Sequence, residues 1–228
     1  MTGFAGFPAD APIFLAELGA NNDTAWFEQH KARWQDGLLE PGRLFVDALG
    51  PRLRALDPFV QWSAKVNGSI FTVRRDTRFS NDPRPYKEEL GLRFWHGEDR
   101  KACRPSFHMR VTSHGVGFGA GVWAFEPPEL AQFRKGVADD VRGPQLAKAI
   151  AGLAHNTCNW QKDCYKKVPA PWPQDHPRQE LLRQRGMSVS LDVPLPPELH
   201  DARFVDFCAA QFAKLAPVQK WLAEALDT

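Results

Sequence analysis

The sequence has little cysteine and no long hydrophobic run. Its 228 residues include four cysteines without a C-x-x-C pair, and the gap between Cys158 and Cys164 suits no common zinc module. We therefore expect free thiols in a reducing cytoplasm. No stretch approaches the roughly 18 uncharged apolar residues of a membrane span. The start of the sequence also lacks a basic segment followed by an apolar run, so we expect neither a membrane helix nor a signal peptide.

Net charge and catalytic motifs are scarce as well. With 29 Lys and Arg against 27 Asp and Glu, the formal net charge is +2, which argues against nucleic acid as a partner. The seven histidines show no H-E-x-x-H or other paired spacing, so no metal site is predicted. No phosphate-binding G-x-x-x-x-G-K-[ST] or nucleophilic G-x-S-x-G motif occurs, and we predict no cofactor. The sequence indicates no particular oligomeric state.

The overall composition is that of a globular protein. The chain is 43% apolar and 25% charged, and no repeat, low-complexity tract or linker divides it. A domain of this length buries roughly 70–75% of the surface of its unfolded chain, so it needs no disulfide or metal to fold. We predict one α+β domain over residues 1–228, with a mostly antiparallel sheet packed against N-terminal and C-terminal helices.

Strands are predicted where the hydrophobic period changes from helical to alternating, beginning at Phe59. Short joins between the alternating segments, such as residues 113–115, favour antiparallel pairing. The predicted strands lie near residues 59–66, 69–75, 90–97, 105–113, 115–123 and 187–191.

Two neighbouring strands predict which side of the sheet is apolar. In the first, Phe107 and Met109 lie on one face, and His108 and Arg110 on the other. In the second, three glycines share one face, namely Gly117, Gly119 and Gly121. Strand glycines allow close approach by another element or by a ligand, and we favour a packed element here.

The cations are concentrated in residues 68–87, which we call the Arg-rich turn. Two guanidinium groups about 6 Å apart repel by roughly 3 kcal/mol at an effective dielectric of 20. Asp76 between Arg75 and Arg78 relieves that repulsion. One interpretation is therefore structural, with an Arg-Asp-Arg bridge that fixes the turn to the sheet.

The other interpretation is an anion site, since guanidinium groups match phosphate and carboxylate geometry. Arg75 and Arg78 would hold the anion and Asp76 would orient them. Tyr86 would line the site, although anchoring of the turn is the favoured role for this residue. The two interpretations are compatible. The complete predicted site is Arg75, Asp76, Arg78, Tyr86, Lys87, Arg93, His108 and Arg110.

The same residues resemble a known family. The run Arg75–Ser80, with Asp82 and Pro85–Lys87, resembles the signature R-x-x-R-D-x-R-F-S-x-D-K-x-P-Y-K of a widespread family of uncharacterised bacterial proteins of about this length. The resemblance covers nearly the whole chain and implies an α+β fold, but no activity. Thr72 and Pro83 stand where the signature has arginine and lysine.

Two functional hypotheses follow. The first is a cytoplasmic protein that binds a small anionic or phosphate-bearing ligand at the Arg-rich turn, with enzymatic activity left open. The second is a non-enzymatic interaction module, in which the Arg and Asp side chains only fix the turn. In that case the Trp and Pro residues of 157–177 would recruit a partner.

Overall fold

The computed structural model describes residues 3–78, 82–98, 104–153 and 164–226. The described chain begins with three helices, α1 (Asp10–Ala20), α2 (Thr24–Trp34) and α3 (Glu40–Arg54). Helix α2 begins after Asp23, whose carboxylate accepts a hydrogen bond from the Trp26 N–H and so satisfies one of the free donors of the first turn.

Five antiparallel strands form one sheet in chain order. Three further helices lie between the fourth and fifth strands, and a final long helix, α7, spans Phe204–Leu226. The strands are β1 (Val60–Gln61), β2 (Leu90–His96), β3 (Ser106–Val111), β4 (Gly115–Val122) and β5 (Met187–Pro194). The helices between β4 and β5 are α4 (Pro127–Ala138), α5 (Arg142–Ala151) and α6 (Gln179–Leu182).

The predicted strand at residues 69–75 is wrong. This segment makes only isolated bridges, at Ile70 with Val66 and Leu92 and at Arg74 with Tyr86. Its backbone N–H groups bond to two different parts of the chain. Phe71 donates to the carbonyl of Gly91 in β2, whereas Arg75 donates to the carbonyl of Pro85, where the turn returns. The strand predicted at 59–66 is also shorter than expected, since the Lys65 and Ser69 N–H groups both donate to the Ser63 carbonyl and turn the chain.

The core lies between one face of the sheet and the helices. Phe107 and Phe118 each lie 5.2 Å from the Phe212 ring of α7, measured between ring centroids. The N-terminal region joins the same core, since Phe7 packs edge-on against Phe204. The arrangement confirms the predicted α+β class, with N-terminal and C-terminal helices against an antiparallel sheet. Among the residues described, no helix combines the length and apolar character needed to cross a membrane.

Candidate functional site

The face of the sheet opposite the helical core is polar, as the alternation predicts. Phe107 and Met109 of β3 are buried in the core, whereas His108 is half-buried and Arg110 is exposed. In the register of the sheet, His108 is paired with Gly119 on one side and with Arg93 on the other. This face therefore presents charged and titratable side chains beside glycines.

The polar face is the floor of an open cavity of about 1480 Å³, which we call the sheet-face cavity. The expectation that another element packs on the strand glycines is wrong at Gly117 and Gly119, which line this cavity. Helix α4 and residues 164–172 contribute to its lining but leave this part of the floor uncovered. The open face thus has room for a bound molecule.

Side chains from the flanking strands lie over the two glycines. Arg110 Nη2 donates to Asp192 Oδ1 at 3.0 Å, although Gly117 of β4 lies between them. A Cβ on Gly117 would be 2.6 Å from that oxygen and 2.7 Å from Arg110 Nε. The glycine therefore lets the ion pair span a strand.

His108 lies over Gly119 in the same way, since a Cβ there would be 2.8 Å from the imidazole Cδ2. Burial, together with the positive charge of Arg93, lowers the pKa of His108 from 6.5 to about 4. The ring is therefore neutral at pH 7, with one donor and one acceptor nitrogen. Neither nitrogen bonds to the part of the chain that the structure describes.

The wall formed by α4 carries a buried cation. Arg134 is 9% exposed, and its Nε donates to the Leu182 carbonyl at 3.0 Å. Its Nη2 is buried and makes no hydrogen bond, and no carboxylate among the described residues pairs with it. The Tyr165 ring lies 4.8 Å from the Arg134 guanidinium and 5.3 Å from that of Arg185. Because a buried unpaired charge is costly, this wall is suited to an anion.

The Arg-rich turn is arranged differently from the prediction. Asp76 forms a two-point ion pair with Arg78, with Nε–Oδ1 at 2.9 Å and Nη2–Oδ2 at 2.8 Å, and both side chains are exposed. The hydrogen bond from Arg78 lowers the pKa of Asp76 to about 2. Asp76 does not bridge Arg75 and Arg78, because the chain returns past Arg75 and brings Asp82 to 3.6 Å from its Nη1. The predicted Arg-Asp-Arg bridge is therefore wrong.

Tyr86 anchors the turn to helix α2. Its side chain is fully buried and stacks on Phe27, with 4.1 Å between ring centroids. The Asn22 side chain accepts from the Tyr86 N–H at 3.0 Å and donates to its carbonyl at 3.1 Å. The Tyr86 hydroxyl is buried without a hydrogen bond in the described structure.

The eight predicted site residues are thus divided among several places. His108 and Arg110 line the sheet-face cavity. A smaller cleft adjoins it, and Glu89, which was not predicted, lines both. The smaller cleft, of about 470 Å³, contains Arg75 and Lys87. The remaining four line neither cavity, and they are Asp76, Arg78, Tyr86 and Arg93.

Sequence reasoning missed the residues that form the walls. Arg134, Tyr165 and Arg185 are far apart in the chain, and the only signal was the Pro- and Trp-rich stretch at 157–177. Parts of three predictions lie outside the described residues, namely the free thiol of Cys158, residues 79–80 of the run that resembles the family signature, and residues 157–163. The described residues contain no group of three His, Cys, Asp or Glu side chains arranged for a metal ion.

The fold is an α+β domain whose antiparallel sheet is covered by helices on one face and open, with a charged cavity, on the other. The chain belongs to the DUF2461 family of conserved hypothetical proteins, which matches residues 10–221. No curated protein matches the chain.

Proposed function

We propose that this protein binds a small anionic ligand in the sheet-face cavity. The observation that carries the proposal is Arg134, a buried cation in the cavity wall with no carboxylate partner in the described structure. An anionic group at this wall would satisfy a charge that the described residues leave unmatched. Each charged hydrogen bond shielded from water contributes roughly 1.5–3 kcal/mol.

The other charges of the cavity favour this wall over its floor. Arg110 is already paired with Asp192, and Glu89 adds a negative charge to the lining. An anion that approached the floor would compete with these carboxylates. At the α4 wall, two guanidinium groups lie beside one aromatic ring, so positive charge is concentrated there.

The Arg-rich turn is our second location for the same class of ligand. Arg75 and Lys87 line the smaller cleft, and the resemblance of this run to a family signature keeps it a candidate. Arg78, however, is turned onto Asp76 in an exposed local pair. We therefore place the anion in the sheet-face cavity. A cytoplasmic location is part of the proposal, supported by the free thiols of Cys164 and Cys208.

A second candidate function is the interaction module, and the exposed Trp123 favours it. This side chain is 75% exposed at the edge of the cavity, where an apolar group of a partner protein would cover it. Trp172, from the segment first expected to recruit a partner, is instead half-buried in the cavity lining. A small ligand in the cavity would contact both Trp123 and Trp172, whereas a docked partner protein would contact only the exposed Trp123.

The experiment is isothermal titration with inorganic phosphate and ribose 5-phosphate, supported by thermal-shift measurements. Ala131→Trp fills the cavity from an exposed position of α4. Ala210→Trp, at an exposed position of α7 outside the cavity, is the matched control. Arg134→Gln removes the wall cation, and Arg78→Gln removes the exposed cation of the turn.

We expect wild type, Ala210→Trp and Arg78→Gln to bind with similar affinity. Ala131→Trp and Arg134→Gln should weaken binding at least tenfold. Arg134 also supports the fold through its hydrogen bond to the Leu182 carbonyl. If Arg134→Gln does not fold, Ala131→Trp alone decides the test. Loss of binding in Arg78→Gln with full binding in Ala131→Trp would place the ligand at the turn. No binding of either probe by the wild-type protein would refute the proposal.

A further inference from the structure

We infer that the anionic ligand also carries a planar aromatic or heteroaromatic ring, which binds between the aromatic side chains of the sheet-face cavity and its flat floor. This inference rests on the proposed function, because it names the rest of the molecule whose anionic group faces Arg134. The class is a ring bearing a phosphate or a carboxylate.

The first argument is where the exposed aromatic side chains lie. Four aromatic residues among those described are substantially exposed, and three of them line this one cavity: Phe71 at 38%, Trp123 at 75% and Tyr165 at 39%. The fourth, Phe59, lies outside it. Exposed aromatic surface is costly in water, and its concentration at one cavity is typical of a binding site for a flat apolar group.

The second argument is the shape and chemistry of the floor. Because Gly117 and Gly119 have no side chain, the Arg110–Asp192 ion pair and the His108 imidazole lie across them, and the floor is a flat surface against which a ring can pack. The neutral imidazole of His108, which lies over Gly119, has two nitrogens that make no bond to the described protein. One donates and one accepts, which matches a ring with heteroatoms or a hydroxyl group.

The third argument is size. The volume of about 1480 Å³ exceeds the roughly 300–1,000 Å³ of ordinary small-molecule sites. A bare phosphate or acetate would leave most of it filled with water. A ring joined to an anionic group can contact the aromatic lining and the α4 wall together, and the guanidinium groups near Tyr165 can also stack on such a ring.

The test compares two pairs of probes that differ by the ring. AMP is measured against ribose 5-phosphate, and indole-3-acetate against acetate, by isothermal titration at one fixed salt concentration. Adenosine, which has the ring without the anion, is the third arm. Stacking on aromatic side chains predicts that, in at least one of the two pairs, the ring-bearing probe binds at least tenfold tighter than its ring-free counterpart. Adenosine should bind at least tenfold more weakly than AMP.

Two variants locate the ring. At least one of the two variants, Trp123→Leu or Trp172→Leu, should weaken binding of the ring-bearing probe at least fivefold. The same variant should change the affinity for its ring-free counterpart by less than twofold. Phe59→Leu removes an exposed aromatic ring outside the cavity and is the matched control, with no change expected.

The outcomes separate this inference from the proposed function. Equal affinity within both pairs, or binding by both tryptophan variants as tight as that of wild type, would refute the inference of a ring and leave anion binding in place. Adenosine that binds as tightly as AMP would instead overturn the anionic site itself. Absence of binding by every probe would remove both.

Discussion

Arg110 and Asp192 form an ion pair across an intervening strand, with 3.0 Å between Nη2 and Oδ1. They reach each other because Gly117 of β4 has no side chain. The relationship shows how the glycines of one strand determine the polar face of the sheet. They let side chains of the neighbouring strands lie across the sheet floor instead of standing upright.

The glycines of β4 should therefore differ in their tolerance of alanine. Gly117→Ala meets Asp192 Oδ1 and the Nε and Cγ of Arg110, all of them on two flexible, exposed side chains that can move aside, so we expect a loss below about 1 kcal/mol in the free energy of unfolding. Gly121 has φ of +139°, and its added Cβ would collide with the Met187 carbonyl oxygen. Gly121→Ala should lose at least about 2 kcal/mol. Urea unfolding of both variants measures the difference, and equal losses would contradict this description of the strand.

The buried Asp57–His96 pair should contribute more to stability than any pair of the Arg-rich turn. The two side chains are 5% exposed, His96 Nδ1 lies 2.8 Å from Asp57 Oδ2, and Gln219 Nε2 donates to the same oxygen at 3.4 Å. Asp57→Ala leaves these groups without a partner and should cost about 3–5 kcal/mol. Asp76→Ala, which removes an exposed pair, should leave stability nearly unchanged. Denaturant unfolding of the two variants side by side checks the contrast, and a large loss for Asp76→Ala would contradict it.

The neutral His108 should make stability depend on pH. Its pKa is lowered from 6.5 to about 4 in the folded state, so between these values the unfolded chain binds more protons than the folded one. Stability should therefore fall as the pH drops from 6.5 towards 4. His108→Gln should reduce that slope, as measured by urea unfolding at several pH values. NMR titration of the imidazole gives an independent check, and a midpoint near 6.5 would contradict a half-buried neutral ring.

Tyr86 should need its ring but not its hydroxyl. The hydroxyl is buried without a hydrogen bond in the described structure, so Tyr86→Phe should match or exceed the wild-type stability. Tyr86→Ala removes the stacking on Phe27 and should cost about 3–5 kcal/mol. Thermal unfolding of the two variants distinguishes an anchor from a ligand-contacting residue. A clear loss in Tyr86→Phe would show that the hydroxyl has a partner.

Local patterns predicted much of the sheet. Alternation assigned Phe107 and Met109 to the core and His108 and Arg110 to the other face, because side-chain direction in a strand depends only on position. The segment at 69–75 was misassigned because a short apolar run does not reveal its hydrogen-bond partners. Those partners are divided between Gly91 and Pro85, on different parts of the chain.

The cavity depended on tertiary contacts that no local pattern contains. Arg134 lies on a helix, where an arginine is common, and Tyr165 lies within the Pro- and Trp-rich stretch at 157–177. Only packing of α4 beside residues 164–172 brings their side chains together. The Arg-rich turn was conspicuous in sequence for the opposite reason, since its charges are neighbours in the chain and mostly neutralise one another locally.

Amide chemical-shift mapping with ribose 5-phosphate tests the central claim most directly, because it reports the binding location without any substitution. We expect the largest saturable changes in the α4 wall, at Arg134, with smaller changes at Gly117 and Gly119 on the cavity floor. Changes confined to Arg75 and Arg78, or no saturable change anywhere, would contradict an anion site in the sheet-face cavity.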